Sequence, residues 1–378
     1  MISSLFTAFD RYPSSKGAAT HIEQSIEVLF DQWPTGMLCA LGDHKLPNQE
    51  NHRGGSIERF SDQIPNFIDR VEAWGEYLQN TINEHPSLEL IHFRDPWSGI
   101  PLLEANPKNA KWVYEVNGLP SIELPYHFPT LPDEFLDLLR KKEDQCLLRA
   151  NRILVPSQTI ADNLNRRLDN LSNKIVVIPN GATIPDSRNR PVSAPQEYIL
   201  YFGAMQNWQG IATLFRAFEQ LSDLPIKLVV ISSNKPRFTK NWRKFAVRRG
   251  IDDRIIWLHQ LSRTSLQAWI QHALMTVAPL TETARNLDQG CCPLKILESM
   301  AAGTAVVASD LPVVREITGQ YLVRADRPEA FAFAIRELYD TPDLREKLGQ
   351  QGRKKVEKEF TWQAHREQLK TFYAELQR

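Results

Sequence analysis

The sequence predicts an α/β protein made of two doubly wound, Rossmann-like domains, each with its own parallel sheet. Three observations carry this expectation. Short apolar runs that end in Gly, Pro, Asp or Ser alternate with longer stretches of helical period, which is the pattern of βαβ units. The alternation stops in a polar, Pro-containing stretch and starts afresh near residue 198. The length, 378 residues, gives each half enough chain to bury a core.

Residues 3–9 form the first strand. Residues 17–33 follow as an amphipathic helix, with Ile22, Ile26, Leu29 and Phe30 on one face. The chain returns as a strand over 37–41, and further strands fall at 88–93, 111–116, 153–156 and 174–178. The longest helical stretch among them is 65–82, where Phe67, Val71, Trp74 and Leu78 make one stripe. Residues 180–195, NGATIPDSRNRPVSAP, lack periodicity and read as an interdomain linker, with the boundary near 185. Strands then recur at 198–202, 226–231, 255–258, 276–279 and 304–309, each followed by a helical stretch. Residues 328–378 read as three helices, the last opening at Thr361, whose hydroxyl can cap it. The expected division is 1–185, 186–360 and a closing helix over 361–378. Two such sheets present their carboxyl ends to a shared central cleft, where ligands of doubly wound sheets bind.

Composition excludes several classes. Lys plus Arg is 45 and Asp plus Glu is 45, so the formal charge is zero and the one-sided field that non-specific nucleic-acid binding needs is missing. Cys39, Cys146, Cys291 and Cys292 have neither disulfide-framework nor CxxC spacing, which suits a reducing, cytoplasmic setting. The N-terminus lacks a basic region with a signal-length apolar run, and no window approaches the roughly 18 apolar residues of a membrane span. Any membrane contact is expected to be peripheral. No DxD-type acidic pair stands at a strand end, so no metal is expected.

The stretch 279–312, PLTETARNLDQGCCPLKILESMAAGTAVVASDLP, carries the most chemistry. It reads as strand, loop, helix, glycine stop and strand. Gly290 ends the loop, Pro293 opens the helix, and the N–H groups of Leu294, Lys295 and Ile296 are left for an anion, with the Lys295 charge beside them. Glu298, on a partly buried side, has two readings. It accepts hydrogen bonds from sugar hydroxyls, or it pairs with Lys295.

The segment PLKILESMAAGTAVVASDLPVVREI resembles the donor site of glycosyltransferase family 4, retaining enzymes of the GT-B fold. ILVPSQTIADNL followed by KIVVIPNGA resembles that family's end of the first domain, and YFGAMQNWQGIATLFRAF its second-domain opening. The resemblance implies a metal-independent enzyme, without cofactor, that moves a sugar from a nucleotide-diphosphate donor to a hydroxyl acceptor, a sugar or a lipid-linked one. Polysaccharide or glycolipid synthesis is the implied setting. Glu298 matches the second glutamate of the E-x7-E motif, which holds the donor ribose, and the loop of Gly290, Cys291, Cys292, Pro293, Leu294 and Lys295 would wrap the sugar and diphosphate.

Three family residues are absent. The first motif glutamate falls on Gly290, as in family variants with a PLK loop, and the arginine and lysine that hold the diphosphate fall on Ala204 and Gln209. Beside Gly203, the remaining phosphate partners are then Asn234, Lys235, Arg237 and Lys295. These losses raise an alternative: a protein of the same fold that binds a sugar nucleotide, or a partner glycosyltransferase, without turnover. A nucleotide-sugar epimerase is the third reading, and its catalytic acids are not evident. In the first half, SSKGAATHIEQ resembles the family's small-residue loop, so Gly17 and Ala18 would face the acceptor together with Arg94 and Asp95. His21, one turn into the helix, is a catalytic candidate or a packing residue. Asn117 stands where many relatives have a histidine, and an amide cannot titrate as a general base.

Residues 235–249 hold seven basic side chains and no acid, interleaved with Phe238, Trp242 and Phe245. The stretch reads as a solvated helix face with inward aromatics, or as a surface that rests on anionic lipid.

Overall fold

The computed structural model describes every residue except Met1, Ser15, Pro34 and Arg378. Contacts divide the chain into two compact units, Met1–Pro179 with His365–Arg378, and Asn180–Ala364.

The first unit runs β1 (Ser4–Arg11), α1 (Gly17–Gln32), β2 (Gly36–Leu41), β3 (Gln49–His52), β4 (Gly55–Phe60), α2 (Phe67–Glu84), β5 (Leu90–Phe93), α3 (Pro96–Ala105), β6 (Lys111–Glu115), α4 (Pro120–His127), α5 (Asp133–Arg149), β7 (Arg152–Val155), α6 (Gln158–Arg167) and β8 (Ile175–Val177). The sheet order is β3-β4-β2-β1-β5-β6-β7-β8, parallel except for the β3–β4 pair. Both faces are covered, which is why these strands read as continuous apolar runs. Leu5, Ile91 and Trp112 pack on the α2, α3 and α5 side, while Phe6, Leu90 and Val113 pack on the α1 side.

The sequence reading missed the β3–β4 hairpin. Its strands carry polar side chains at an edge, and only the turn signals it: Arg53 and Gly54 both have positive φ, 48° and 88°, as a two-residue hairpin loop requires.

The second unit runs β9 (Tyr198–Gly203), α7 (Ile211–Glu219), β10 (Lys227–Ser232), α8 (Lys240–Arg248), β11 (Ile255–His259), α9 (Arg263–Gln271), β12 (Met275–Ala278), α10 (Leu294–Ala301), β13 (Val306–Ser309), α11 (Pro312–Arg315), β14 (Tyr321–Val323), α12 (Pro328–Asp340) and α13 (Pro342–Glu359). Its sheet is wholly parallel, in the order β11-β10-β9-β12-β13-β14. Tyr201, Leu228 and Val277 face α7 and α12. On the other side Leu200 and Val229 pack with Trp269 and Ile270 of α9.

Two boundaries differ from expectation. The division falls at Pro179/Asn180 and not at 185, and residues 180–195 belong to the second unit. Side chains of that unit hold this aperiodic stretch in place of a sheet: Gln271 binds the Arg188 N–H and the Asp186 carbonyl, and Arg263 binds the Thr183 hydroxyl at 2.9 Å. The last helix, α14 (Trp362–Gln377), is capped by the Thr361 hydroxyl on the Ala364 N–H at 3.0 Å. From His365 onward it belongs to the first unit, where Leu369, Phe372, Tyr373 and Leu376 enter the α1-side core.

Candidate functional site

In a doubly wound sheet the binding crevice opens at the carboxyl ends of the strands where the winding reverses. In the first unit that point lies between β1 and β5, and in the second between β9 and β12. Chemistry-bearing side chains collect at both.

At the first, the hub is Glu115, which ends β6 and is 1% exposed. Its carboxylate accepts from Arg94 Nε at 2.9 Å and from the Asn117 amide, and lies 3.1 Å from both His21 Nδ1 and His92 Nε2. His92 Nδ1 in turn meets the Tyr373 hydroxyl of α14 at 2.5 Å. Burial works to raise the Glu115 pKa, but His21, Arg94 and His92 together hold it well below the ordinary carboxylate range. Burial pushes His92 and His365 downward, toward the neutral imidazole. His365 binds the Pro179 carbonyl and stands edge-on to His21, with ring centroids 5.3 Å apart.

The structure therefore gathers His21, Asn117 and Arg94 at one point, but it corrects the tasks expected of two residues. Arg94 is buried and committed to Glu115, Asp10 and the Ala18 carbonyl, so it holds the α1 entrance in place and does not face an acceptor. Asp95 caps α3: its carboxylate accepts from the Ser98 and Phe9 N–H groups at 2.8 and 2.7 Å. Burial raises its pKa to about 6 against those bonds. Gly17 is exposed and Ala18 partly so. Glu115 carries the assembly; the sequence offers it beside Asn117 in WVYEVNGLPSIELPYHFP, as a carboxylate inside an apolar run, but nothing local gives it a task.

At the second switch point, the loop after β12 closes in a π-helical turn over Arg285–Gln289, which sequence reading took for plain loop. Asn286 ties it down by donating to the Trp208 and Thr281 carbonyls, both at 2.9 Å. Gly290 ends the turn at φ 82°, a conformation a glutamate would hold only under strain. Pro293 is the cap of α10 and Leu294 its first residue. The Ile296 N–H closes on the Pro293 carbonyl at 3.0 Å, so it is not left for an anion as expected. Cys291 keeps some exposure. Cys292, in contrast, lies in the apolar core beside Ile296 and Leu297, and burial takes its thiol to about 12, so its side chain is structural. Its carbonyl accepts from Asn180 at 3.0 Å.

Lys295 and Glu298 share α10 but do not pair. The Lys295 ammonium reaches the Gln209 side-chain oxygen at 2.5 Å and lies 4.3 Å from the centre of the Tyr201 ring, beside Gly203. Burial lowers its pKa to about 7, with Arg285 pushing the same way. Glu298 lines a small recess with Thr183, Pro185 and Arg263. Among the described residues its carboxylate has no ion pair within 4 Å, and burial raises its pKa to about 7 against the pull of Arg263 and Lys295. Arg263 and Arg285 were not anticipated, because a lone arginine in a loop or first turn carries no motif.

Asn234 accepts from the Met205 N–H at 3.3 Å and so binds the turn after β10 to the turn after β9. Lys235 and Arg237 are exposed, and Arg237 lies over Phe238. Neither makes a hydrogen bond or ion pair with Lys295 among the described residues. Among the described residues no cluster of three His, Cys, Asp or Glu side chains has the arrangement of a metal site.

The fold has close counterparts. Sucrose-phosphate synthase from Thermosynechococcus elongatus superposes with a TM-score of 0.79 at 20% identity, covering 99% of both chains. Anabaena Alr3699/HepE, solved in complex with UDP-glucose, gives 0.74 at 14% identity over 98% of this chain and 99% of that one. Two doubly wound units of this kind, each with its polar side chains at the switch point, define the GT-B fold of glycosyltransferases. Residues 16–184 match the family described as Glycosyltransferase Family 4, and residues 196–341 that described as Glycosyl transferases group 1. The chain belongs to glycosyltransferase family 4.

Among curated relatives, the O-antigen chain mannosyltransferase RfbU of Salmonella typhimurium is 24% identical over 58% of this chain and 59% of its own length. A D-inositol 3-phosphate glycosyltransferase of Streptomyces scabiei is 27% identical over 55% of this chain and 50% of its own. The match thus spans between half and three-fifths of those relatives.

Proposed function

We propose that this protein is a retaining glycosyltransferase that takes a sugar from a nucleotide-diphosphate donor and places it on a hydroxyl acceptor. The observation that carries the reading is the pair on α10. Lys295 and Glu298 lie three residues apart, yet Lys295 turns to Gln209 while Glu298 lines the recess with Arg263. A cation without a carboxylate fits a diphosphate, and a carboxylate without a cation fits two vicinal hydroxyls of a ribose. The UDP and UDP-glucose complexes of the Anabaena protein support a donor of this class.

In the route proposed, the acceptor proton passes to the leaving diphosphate during attack on the same face of the sugar and no protein nucleophile takes part; Asn117, an amide, is not the base. The family resemblance supports this route, and it also supports transfer without a metal. The mannosyltransferase relative favours an acceptor that is a growing saccharide, free or lipid-linked. A panel of UDP-, GDP- and ADP-sugars in a thermal-shift assay, followed by donor hydrolysis, tests the proposal. Binding raises stability by RT ln(1 + [L]/Kd), so a shift with turnover supports it. A shift without turnover across several acceptors points to a binding protein, and no shift with any donor removes the reading.

The basic stretch bears on the acceptor. Trp242 and Phe245 pack inward against Phe215, but Val247, 59% exposed, lies among Lys240, Lys244 and Arg248, and Phe238, in the turn before α8, is equally exposed under Arg237. We infer that this face of α8 rests on anionic lipid, each cation near the surface adding about 1 kcal/mol. Co-sedimentation with vesicles containing phosphatidylglycerol is expected, and it should drop sharply for the triple change of Lys240, Lys244 and Arg248 to Glu. Equal binding to neutral vesicles, or none to either, removes the lipid contact.

A further inference from the structure

We propose that the cation serving the donor diphosphate has been moved in this chain, not lost: it stands on α10 as Lys295, and Gln209 is the residue that positions it. This rests on the donor reading above and adds to it a task for Gln209, a residue that otherwise reads as a missing lysine.

The geometry supplies the argument. Gln209 closes the 3-10 turn after β9, and its side-chain oxygen receives the Lys295 ammonium at 2.5 Å. A lysine at 209 would bring its own ammonium to the same small volume, so the two positions share one location for charge. Only one of them can be cationic without repulsion. Gln209 is neutral and an acceptor at that oxygen, which holds an ammonium without neutralising it. A glutamate there would form an ion pair and occupy the charge. Ala204 offers no long side chain to compete, and Gly203, held at φ 121° at the carboxyl end of β9, borders the ammonium: a Cβ there would stand in ordinary contact with Lys295 Nζ, 3.6 Å away.

The remaining surroundings leave the charge uncompensated. The groups facing Lys295 are the Tyr201 ring from β9, Arg285 from the π-helical turn, Cys291 from the loop and Glu298 from its own helix. Glu298 is turned to the recess with Arg263. Among the described residues no carboxylate lies within 4 Å of the ammonium. A partly buried ammonium held by an amide oxygen and an aromatic face is costly to keep charged, and an arriving diphosphate removes that cost. Burial already brings Lys295 to about 7, with Arg285 acting in the same sense and Cys291 and Glu298 opposing it. A dianion would return it to the charged form, so nucleotide binding above neutral pH takes up a proton from solvent.

The test is calorimetry of the full chain with UDP, GDP and ADP at pH 8, in two buffers of different ionisation enthalpy. It uses the wild type, Lys295→Gln, Gln209→Lys, the double change Gln209→Lys with Lys295→Gln, and Lys295→Arg. Lys295→Gln is expected to weaken the nucleotide that the wild type binds by about 10- to 100-fold, the effect of one charged hydrogen bond. The double change should recover affinity to within about threefold of wild type, since the charge is back at the shared location by the other route. Wild type should take up a fraction of a proton, while Lys295→Arg, always charged, binds without uptake. Unchanged affinity in Lys295→Gln, or a double variant no better than Lys295→Gln, overturns the relocated cation and leaves the donor reading in place. If the wild type binds none of the three nucleotides, the donor reading fails and this inference with it.

Discussion

Changing Glu298 to Ala is expected to reduce donor-dependent transfer by about a hundredfold or more and to leave the fold at least as stable as before. Two hydroxyl-to-carboxylate hydrogen bonds are lost, each worth about 1.5 to 3 kcal/mol, and every 1.4 kcal/mol is a factor of ten. The stability side follows from the sign of the shift. Burial raises the Glu298 pKa from 4.5 to about 7, so the folded protein resists its ionisation. The penalty begins as pH rises past the unfolded value of 4.5 and levels off above about 7. Removing the carboxyl removes the penalty, so Tm at pH 8 should hold or rise. A structural carboxylate behaves in the opposite way. Unchanged turnover with a verified donor would sink the ribose assignment, and a large fall in Tm would show that Glu298 holds the fold and not the ligand.

Changing Glu115 to Ala is expected to destabilise the first unit by about 3 to 5 kcal/mol, because among the described residues it leaves the buried Arg94 guanidinium with Asp10, 3.4 Å away, as its one ion-pair partner within 4 Å, and with Asp95 acting from further off. Here the sign is reversed. The folded pKa lies well below the ordinary 4.5, so the contribution is fully present above that value and is lost as pH falls through the folded pKa. Urea unfolding should therefore show a gap between wild type and Glu115→Gln that is constant from pH 6 to 8 and narrows in acid. A gap below about 1 kcal/mol at pH 7 would mean that the cluster of Arg94, His21 and His92 does not depend on its carboxylate.

The two sites differ in how far they can be read from the chain. The α10 site is contiguous: Gly290, Pro293, Lys295 and Glu298 fall within nine residues, and helical spacing alone places the last two near one end of the helix. What spacing leaves open is whether Lys295 and Glu298 pair. Gln209, on a turn 86 positions away, settles that by taking the ammonium. The Glu115 site is assembled from β5, β6, α1 and α14, and its contact between His92 and Tyr373 spans 281 positions. Nothing local marks either residue. For the same reason Asp95 and Arg94 read as ligands from their place at a strand end, while their actual partners are the Phe9 N–H, the Ser98 N–H and Glu115, supplied by neighbouring strands and turns.

The sequence by itself determined the class and the order of parts: two parallel sheets, the reset near residue 198, the capped last helix, and the loop and helix that carry Lys295 and Glu298. These are local properties, set by periodicity, caps and turn residues over spans of ten to twenty positions. Only the tertiary structure decided the partners. It gave residues 180–195 to the second unit, put Cys292 into the core, exposed Lys235 and Arg237, and set Gln209 against Lys295. Partners depend on which strand ends meet at a switch point, and that is fixed by how whole sheets bury their two faces, which no short window of sequence contains.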